Sequence, residues 1–139
     1  MSQKSEKSVI AIAKSFVQAI NTADINRLAE LMTEDHTFVD SDGQEYSGRD
    51  RMYNGWLDYF SMVPDYRIEV IDTFCQGTMV VFLGMAEGTF SEAGKLKSEN
   101  HWRVPAAWRA VISDDKISRW QLYVNPEPMF SIFNRIKKT

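Results

Sequence analysis

The stretch FVQAINTADINRLAELMTEDHTFVDSDG, Phe16 to Gly43, changes its hydrophobic period midway, and that change decides the fold. Upstream of it, Val9, Ile12 and Ala13 join Phe16, Val17 and Ile20 in one stripe at helical spacing, which predicts a first helix from Ser8 to about Asn21 with one apolar face. After NTAD, Thr22 or Asp24 stands where a cap belongs, and a second short helix buries Ile25, Leu28, Leu31 and Met32. In HTFVD the period falls to two. His36, Phe38 and Asp40 share one strand face, Thr37 and Val39 the other, and SDGQ supplies the turn.

Downstream, SGRDRMYNGWLDYF places Ser47 three residues before Asp50, a capping-box pattern for a third helix that buries Met52, Trp56, Leu57 or Tyr59, and Phe60 and stops at Pro64. From Tyr66 to Val124 the pattern is β: YRIEVID, TMVVFLGMAEGTF, HWRVPAAWRAVI and KISRWQLYV, with SEAGKLKSEN as a polar connection and SDD as the last hairpin turn. Met129, Ile132, Phe133 and Ile136 behind Pro126 and Pro128 predict a short C-terminal helix. Helices followed by strands, without strict alternation, describe an α+β domain in which a curved antiparallel or mixed sheet wraps three N-terminal helices in a cone.

Composition narrows the function. With 139 residues, 44% of them hydrophobic and 12% aromatic, the chain suits a single domain over residues 1–139 with one sizeable core. The net charge of -3 is spread among mixed acids and bases, so no basic stripe offers itself to nucleic acid. No apolar run has the length of a membrane span. Cys75 stands alone, which excludes an internal disulfide framework, and its place at the end of an apolar strand suits burial as a small hydrophobe. Lys14 breaks the N-terminal apolar run that a signal peptide would need, so the cytoplasm is the expected compartment. His36 and His101 without a cysteine cluster make no zinc site, and neither a phosphate loop nor a Gly-x-Ser-x-Gly elbow is present. No metal and no cofactor are expected.

Three pieces in order, the Phe16–Gly43 stretch, YSGRDRM, and VPAAWRAVISDDKISRWQLYVN, resemble the nuclear transport factor 2-like superfamily and, within it, the SnoaL-like and ketosteroid-isomerase-like proteins. The resemblance covers nearly the whole chain. It implies a sheet wrapped around a hydrophobic cavity and a homodimer through the outer sheet face. Members include isomerases, polyketide cyclases, epoxide hydrolases, dehydratases and non-catalytic binding domains, so fold does not choose function.

The resemblance places Asp40 where a ketosteroid isomerase has its base. That chemistry pairs the base with an oxyanion hole, yet Phe16 stands where the hydroxyl donor would sit and Ala107 stands near the second acid. The epoxide hydrolases carry an acid two residues after a tryptophan; here Trp120 is followed at that position by Leu122, which moves no proton. Asp40 therefore has two readings, a strand-end carboxylate bonded to turn amides or the acid/base of a cavity. The neighbouring acids Glu34, Asp35 and Asp42 read as solvated.

His36, on the strand face of Asp40, is either its water-bridged partner or a core-edge histidine satisfied by a backbone carbonyl. His101 and Arg103 share a face with Pro105, Ala107 and Arg109 if no bulge intervenes. Pointing inward, they would give the cavity an imidazole and a guanidinium, His101 as a second catalytic group; pointing outward, they belong to a dimer face. Phe16, Phe38, Met52, Trp56, Tyr59, Phe60, Trp120 and Leu122 are the expected walls of a pocket for a small apolar or aromatic molecule. The function classes left open are cofactor-free proton transfer and non-catalytic ligand binding or assembly.

Overall fold

In the computed structural model, which describes residues 5–138, helix α1 (Glu6–Asn21) starts where the Ser5 hydroxyl accepts from the Ser8 amide, and it buries Val9, Ala13, Phe16, Val17 and Ile20. Helix α2 (Ile25–Leu31) is capped by Asp24, whose carboxylate accepts from the Arg27 amide. Strand β1 (Met32–Val39) begins directly after it, four residues before His36, so Met32 is buried as a strand residue. Between the pairs Met32 with Ile117 and Thr37 with Arg119, β1 advances five residues while its neighbour advances two. This bulge pushes Glu34 and Asp35 into solvent.

Strand β2 (Glu45–Ser47) returns antiparallel on β1. The expected cap at Ser47 is corrected here. Helix α3 (Arg49–Met62) has Gly48 at its N-cap, with φ 107° and no side-chain cap, because residue 47 is paired into β2 and its hydroxyl lies 3.0 Å from that of Thr37. The helix ends ahead of Pro64, as expected.

Strands β3 (Arg67–Gln76), β4 (Met79–Glu92), β5 (Lys95–Ser113) and β6 (Lys116–Val124) complete a six-stranded sheet in the order β2-β1-β6-β5-β4-β3. All neighbours are antiparallel except β1 and β6, which run parallel. The segment read as a polar connection, Ser91–Asn100, is a correction too: it is mostly strand, a hairpin reversed at Ala93 and Gly94 with φ 53° and 75°, the left-handed pair of a type I′ turn. The expected SDD turn is built the same way, with φ 51° and 63° at Asp114 and Asp115.

Through Pro105 the pairing of β5 with β4 stays in register from Thr89 with His101 to Met79 with Val111. Trp102, Val104, Ala106, Trp108 and Ala110 therefore all face inward and are buried. At Gly84 an added Cβ would lie 1.8 Å from the Glu69 carbonyl oxygen, beside the register shift at Val70 to Asp72 where β3 folds over β4. The curved sheet and α1 to α3 enclose the core. Helix α4 (Glu127–Lys137) starts with proline in its first turn and buries none of its residues. Among the described residues no helix is long and apolar enough to cross a membrane.

Candidate functional site

The inner faces of β1, β4, β5 and β6, one side of α3 and the underside of α4 bound a cavity of about 700 Å³. Its floor and walls are aromatic. Seven of the expected site residues line it: Phe38, Asp40, Met52, Trp56, Tyr59, Trp120 and Leu122. Strand alternation puts Phe38, Trp120 and Leu122 there, and the i, i+4, i+7 spacing of Met52, Trp56 and Tyr59 does so from α3.

Phe16 and His36 lie behind the wall. Phe16 is fully buried, its ring 4.8 Å from Trp120 and 6.0 Å from His36. His36 Nδ1 sits 2.7 Å from the Ile117 carbonyl, which only accepts, so Nδ1 carries the proton and donates. Its Nε2 is buried with no partner among the described residues. Burial holds the imidazole below its ordinary pKa, against the smaller opposing pulls of the Ile117 carbonyl and Asp35. Phe60 supports Trp56 from outside the cavity at 5.5 Å between rings.

His101 and Arg103 take the outward of their two readings. Because Trp102 and Val104 take the inward positions, these two point to the outer face, where Arg103 is 3.1 Å from Glu69 and 3.4 Å from Glu87, and His101 is 3.3 Å from Glu87. The cavity gains no imidazole or guanidinium from β5. A different arginine reaches its rim: Arg51 of α3 stacks over Tyr46 at 5.0 Å. Cys75, expected to be buried, is half-buried, 3.7 Å from the Gly77 carbonyl, and desolvation together with Glu6 raises its thiol pKa.

Asp40 is a strand-end carboxylate bonded to a turn amide, and it also borders the cavity. Its Oδ1 accepts from the Ser41 amide at 2.7 Å, and its backbone closes the turn with Gln44 and Gly43. The residue nonetheless lines the cavity, and its carboxylate adds to the upward pull on two phenols there. Tyr59 and Tyr66 have their pKa values pushed far up, chiefly by burial, with Asp40 adding to the effect at both. Both phenols therefore remain donors across the physiological range.

Tyr66 and Trp108 are wall residues that the sequence reading passed over. Burial has the larger, upward effect on the Tyr66 phenol pKa, and the Trp108 indole beside it pulls that pKa down. The Tyr66 ring packs 5.0 Å from Tyr59 at 88° and 5.9 Å from Trp102. Met129, Phe130 and Phe133 of α4 close the remaining side. The lining thus brings Asp40, Asp42 and Arg51 together with Tyr46, Tyr59 and Tyr66 around a mainly aromatic hollow. Among the described residues no cluster of metal-ligating side chains occurs.

The sequence matches the SnoaL-like domain over residues 13–120. No curated protein matches it. Among solved structures, a candidate SnoaL-like polyketide cyclase from Jannaschia sp. CCS1 is similar with a TM-score of 0.78 at 14% identity, covering 100% of this chain and 99% of that one. An LEH-like epoxide hydrolase from M. tuberculosis superposes with a TM-score of 0.76 at 13% identity, with 94% and 92% of the two chains covered. A hypothetical protein with a ketosteroid isomerase-like fold from Catenulispora acidiphila, in complex with trimethylamine, gives 0.74 at 19% identity over 86% and 89%. At such identities these similarities describe a shared fold.

Proposed function

Because the chain belongs to the SnoaL-like domain family, we propose that it binds a small apolar or aromatic molecule in this cavity and performs a cofactor-free proton transfer of isomerase, cyclase or dehydratase type, with Asp40 as the acid/base. One observation carries the reading: Asp40 shares an aromatic enclosure with the protonated hydroxyls of Tyr59 and Tyr66. A carboxylate that removes a proton leaves charge on the ligand, and that charge needs a donor in a dry pocket. Tyr66 answers the need. Its O–H, kept protonated by burial, donates to the ligand's developing oxyanion, while Asp40 returns the proton at a neighbouring position. A cavity of about 700 Å³ with mainly apolar walls suits a ligand of a few fused or linked rings.

Binding without turnover is the second reading. Leu122, which lines the cavity where the epoxide-hydrolase resemblance would place an acid, favours it, and Phe16 brings no hydroxyl. The proposal extends to a homodimer through the outer sheet face, where Ile71 and Tyr123 are 62% and 51% exposed beside Leu83.

The deciding experiment screens aromatic ketones, terpenoids and polyketide-like aromatics by thermal shift, because a ligand of the native state raises Tm, and then assays proton exchange into the ligands that bind. Asp40→Asn is expected to keep the thermal shift and lose the exchange. Unchanged exchange in that variant would leave binding alone as the function.

A further inference from the structure

The charges that border the cavity do not balance. Its lining holds two carboxylates, Asp40 and Asp42, against one cation, Arg51. Asp40 Oδ1 accepts from the Ser41 amide at 2.7 Å, and Asp42 Oδ1 accepts from the Gln44 amide at 2.9 Å; neither bond neutralises the acid. Among the described residues neither acid forms a salt bridge. Arg51 pairs with neither of them, its guanidinium lying over the Tyr46 ring at 5.0 Å from the centroid.

The wall around these charges favours the same sign of guest. Tyr46, Trp56, Tyr59, Tyr66, Trp108 and Trp120 line the hollow, and an aromatic face carries the negative part of its ring's quadrupole. A positive group against such faces recovers through cation–π attraction part of the hydration it leaves behind, most of all on tryptophan. An anion meets repulsion there. The phenols feel the same field: beyond the main effect of burial, Asp40 raises the pKa of both Tyr59 and Tyr66, and Asp65 adds to the rise at Tyr59. A negative potential therefore reaches the wall where these two rings stand.

We infer that the ligand of this cavity is an aromatic molecule bearing a positively charged amine, tertiary and protonated or quaternary, with the ammonium against the aromatic faces and within the field of Asp40 and Asp42. An alkylated ammonium suits the wall better than a primary amine or a guanidinium, because its methyl groups bury against rings and demand few hydrogen-bond acceptors from them. Arg51 works against the attraction from the rim. The inference rests on the reading of the cavity as a ligand site, and it holds whether or not Asp40 turns the ligand over.

The test titrates three naphthalene probes, substituted at the same ring position, into the intact chain: naphthylmethyl-trimethylammonium, its uncharged isostere neopentylnaphthalene, and naphthylacetate as the anion. Binding is read from the indole signals of Trp56, Trp108 and Trp120 by nuclear magnetic resonance, which also places each probe in the cavity. The ammonium is expected to bind about tenfold more tightly than the isostere, and the acetate most weakly. Asp40→Asn with Asp42→Asn should cut that preference by about threefold or more while leaving the isostere's Kd in place. Arg51→Gln, at an exposed site, should tighten the ammonium alone.

An isostere or an acetate that binds as tightly as the ammonium overturns the inference and leaves the ligand reading standing. So does a preference untouched by the two Asn substitutions, or an Arg51→Gln variant that weakens the ammonium. A chain whose indole signals answer to none of the three probes loses both readings together.

Discussion

Gly88 on β4 and Val63 at the end of α3 meet so closely that a Cβ on Gly88 would lie 2.4 Å from Val63 Cγ1. The same atom would come within 3.2 Å of Trp102 and 3.5 Å of the Tyr66 backbone. A glycine here lets α3 end directly on the sheet, and the chain that follows delivers Tyr66 into the cavity. Gly88→Ala is therefore expected to destabilise by about 1–3 kcal/mol, the usual cost of overpacking, read by urea denaturation. Val63→Ala in the same chain removes the nearest clashing methyl, so the double variant should lose less than the sum of the singles. Strict additivity would show that the two residues do not compete for space.

The helices, the strand at His36 to Val39 and the last hairpin were legible because each carries a one-sided apolar period that packing then uses. Ser91–Asn100 was not. Its two strand arms project where most side chains meet water on both faces, so no alternation marks them. For β5 the two tryptophans and Val104 define the apolar face, and they settled the direction that Pro105 left open. Tyr66 was invisible for another reason: it is one aromatic between Asp65 and Arg67, and its burial comes from Trp102 and Trp108, more than thirty positions later. The cover formed by α4 likewise depends on where the helix lands.

His36 gives stability a pH dependence whose sign follows from its burial. In the folded chain desolvation lowers its pKa, while in the unfolded chain it returns to the ordinary value of 6.5. Above that value both states are neutral and the residue contributes no slope. Below it the unfolded chain takes a proton that the folded chain refuses, so stability falls as pH falls, by at most about 1.4 kcal/mol per pH unit, until the folded pKa is reached. Denaturant midpoints from pH 7.5 down to about 5.5 should show this loss. His36→Gln, whose amide still reaches a carbonyl, should be flatter; an unchanged difference between the two pH values would remove His36 from the account. His101 is common to both chains and cancels in the comparison.

The outer face bears on assembly. Leu83, Ala107 and Tyr123 are cross-strand neighbours on β4, β5 and β6, and Leu83 and Tyr123 are exposed alongside Ile71. A contiguous apolar patch of this kind on a sheet is a candidate for covering by a second copy. The wild type is expected to sediment as a dimer, and Leu83→Lys as a monomer with an unaltered circular dichroism spectrum, because position 83 already faces solvent in the single chain. A monomeric wild type would sink the homodimer.

The last expectation concerns α4, which lines the cavity with Met129, Phe130 and Phe133 yet buries none of its own residues. Among the described residues, Met129, Ile132 and Ile136 pack partly buried against the core. Arg135 donates to the Glu99 carbonyl at 2.8 Å and to the Asn100 side-chain oxygen at 3.0 Å, and Phe133 lies 5.9 Å from Phe90. A helix held this way opens at a small fraction of the global stability. Arg135→Ala removes these two hydrogen bonds and a third to the Glu99 carboxylate at 3.4 Å, and leaves the Asn100 oxygen, in a fully buried residue, without that partner; the cost should be about 1–3 kcal/mol, felt first in α4. Amide hydrogen exchange is the measurement. Faster exchange across Phe130 to Lys137, with β4 to β6 still protected, is the expected pattern. Equal acceleration in the strands would mean that α4 is part of the global folding unit.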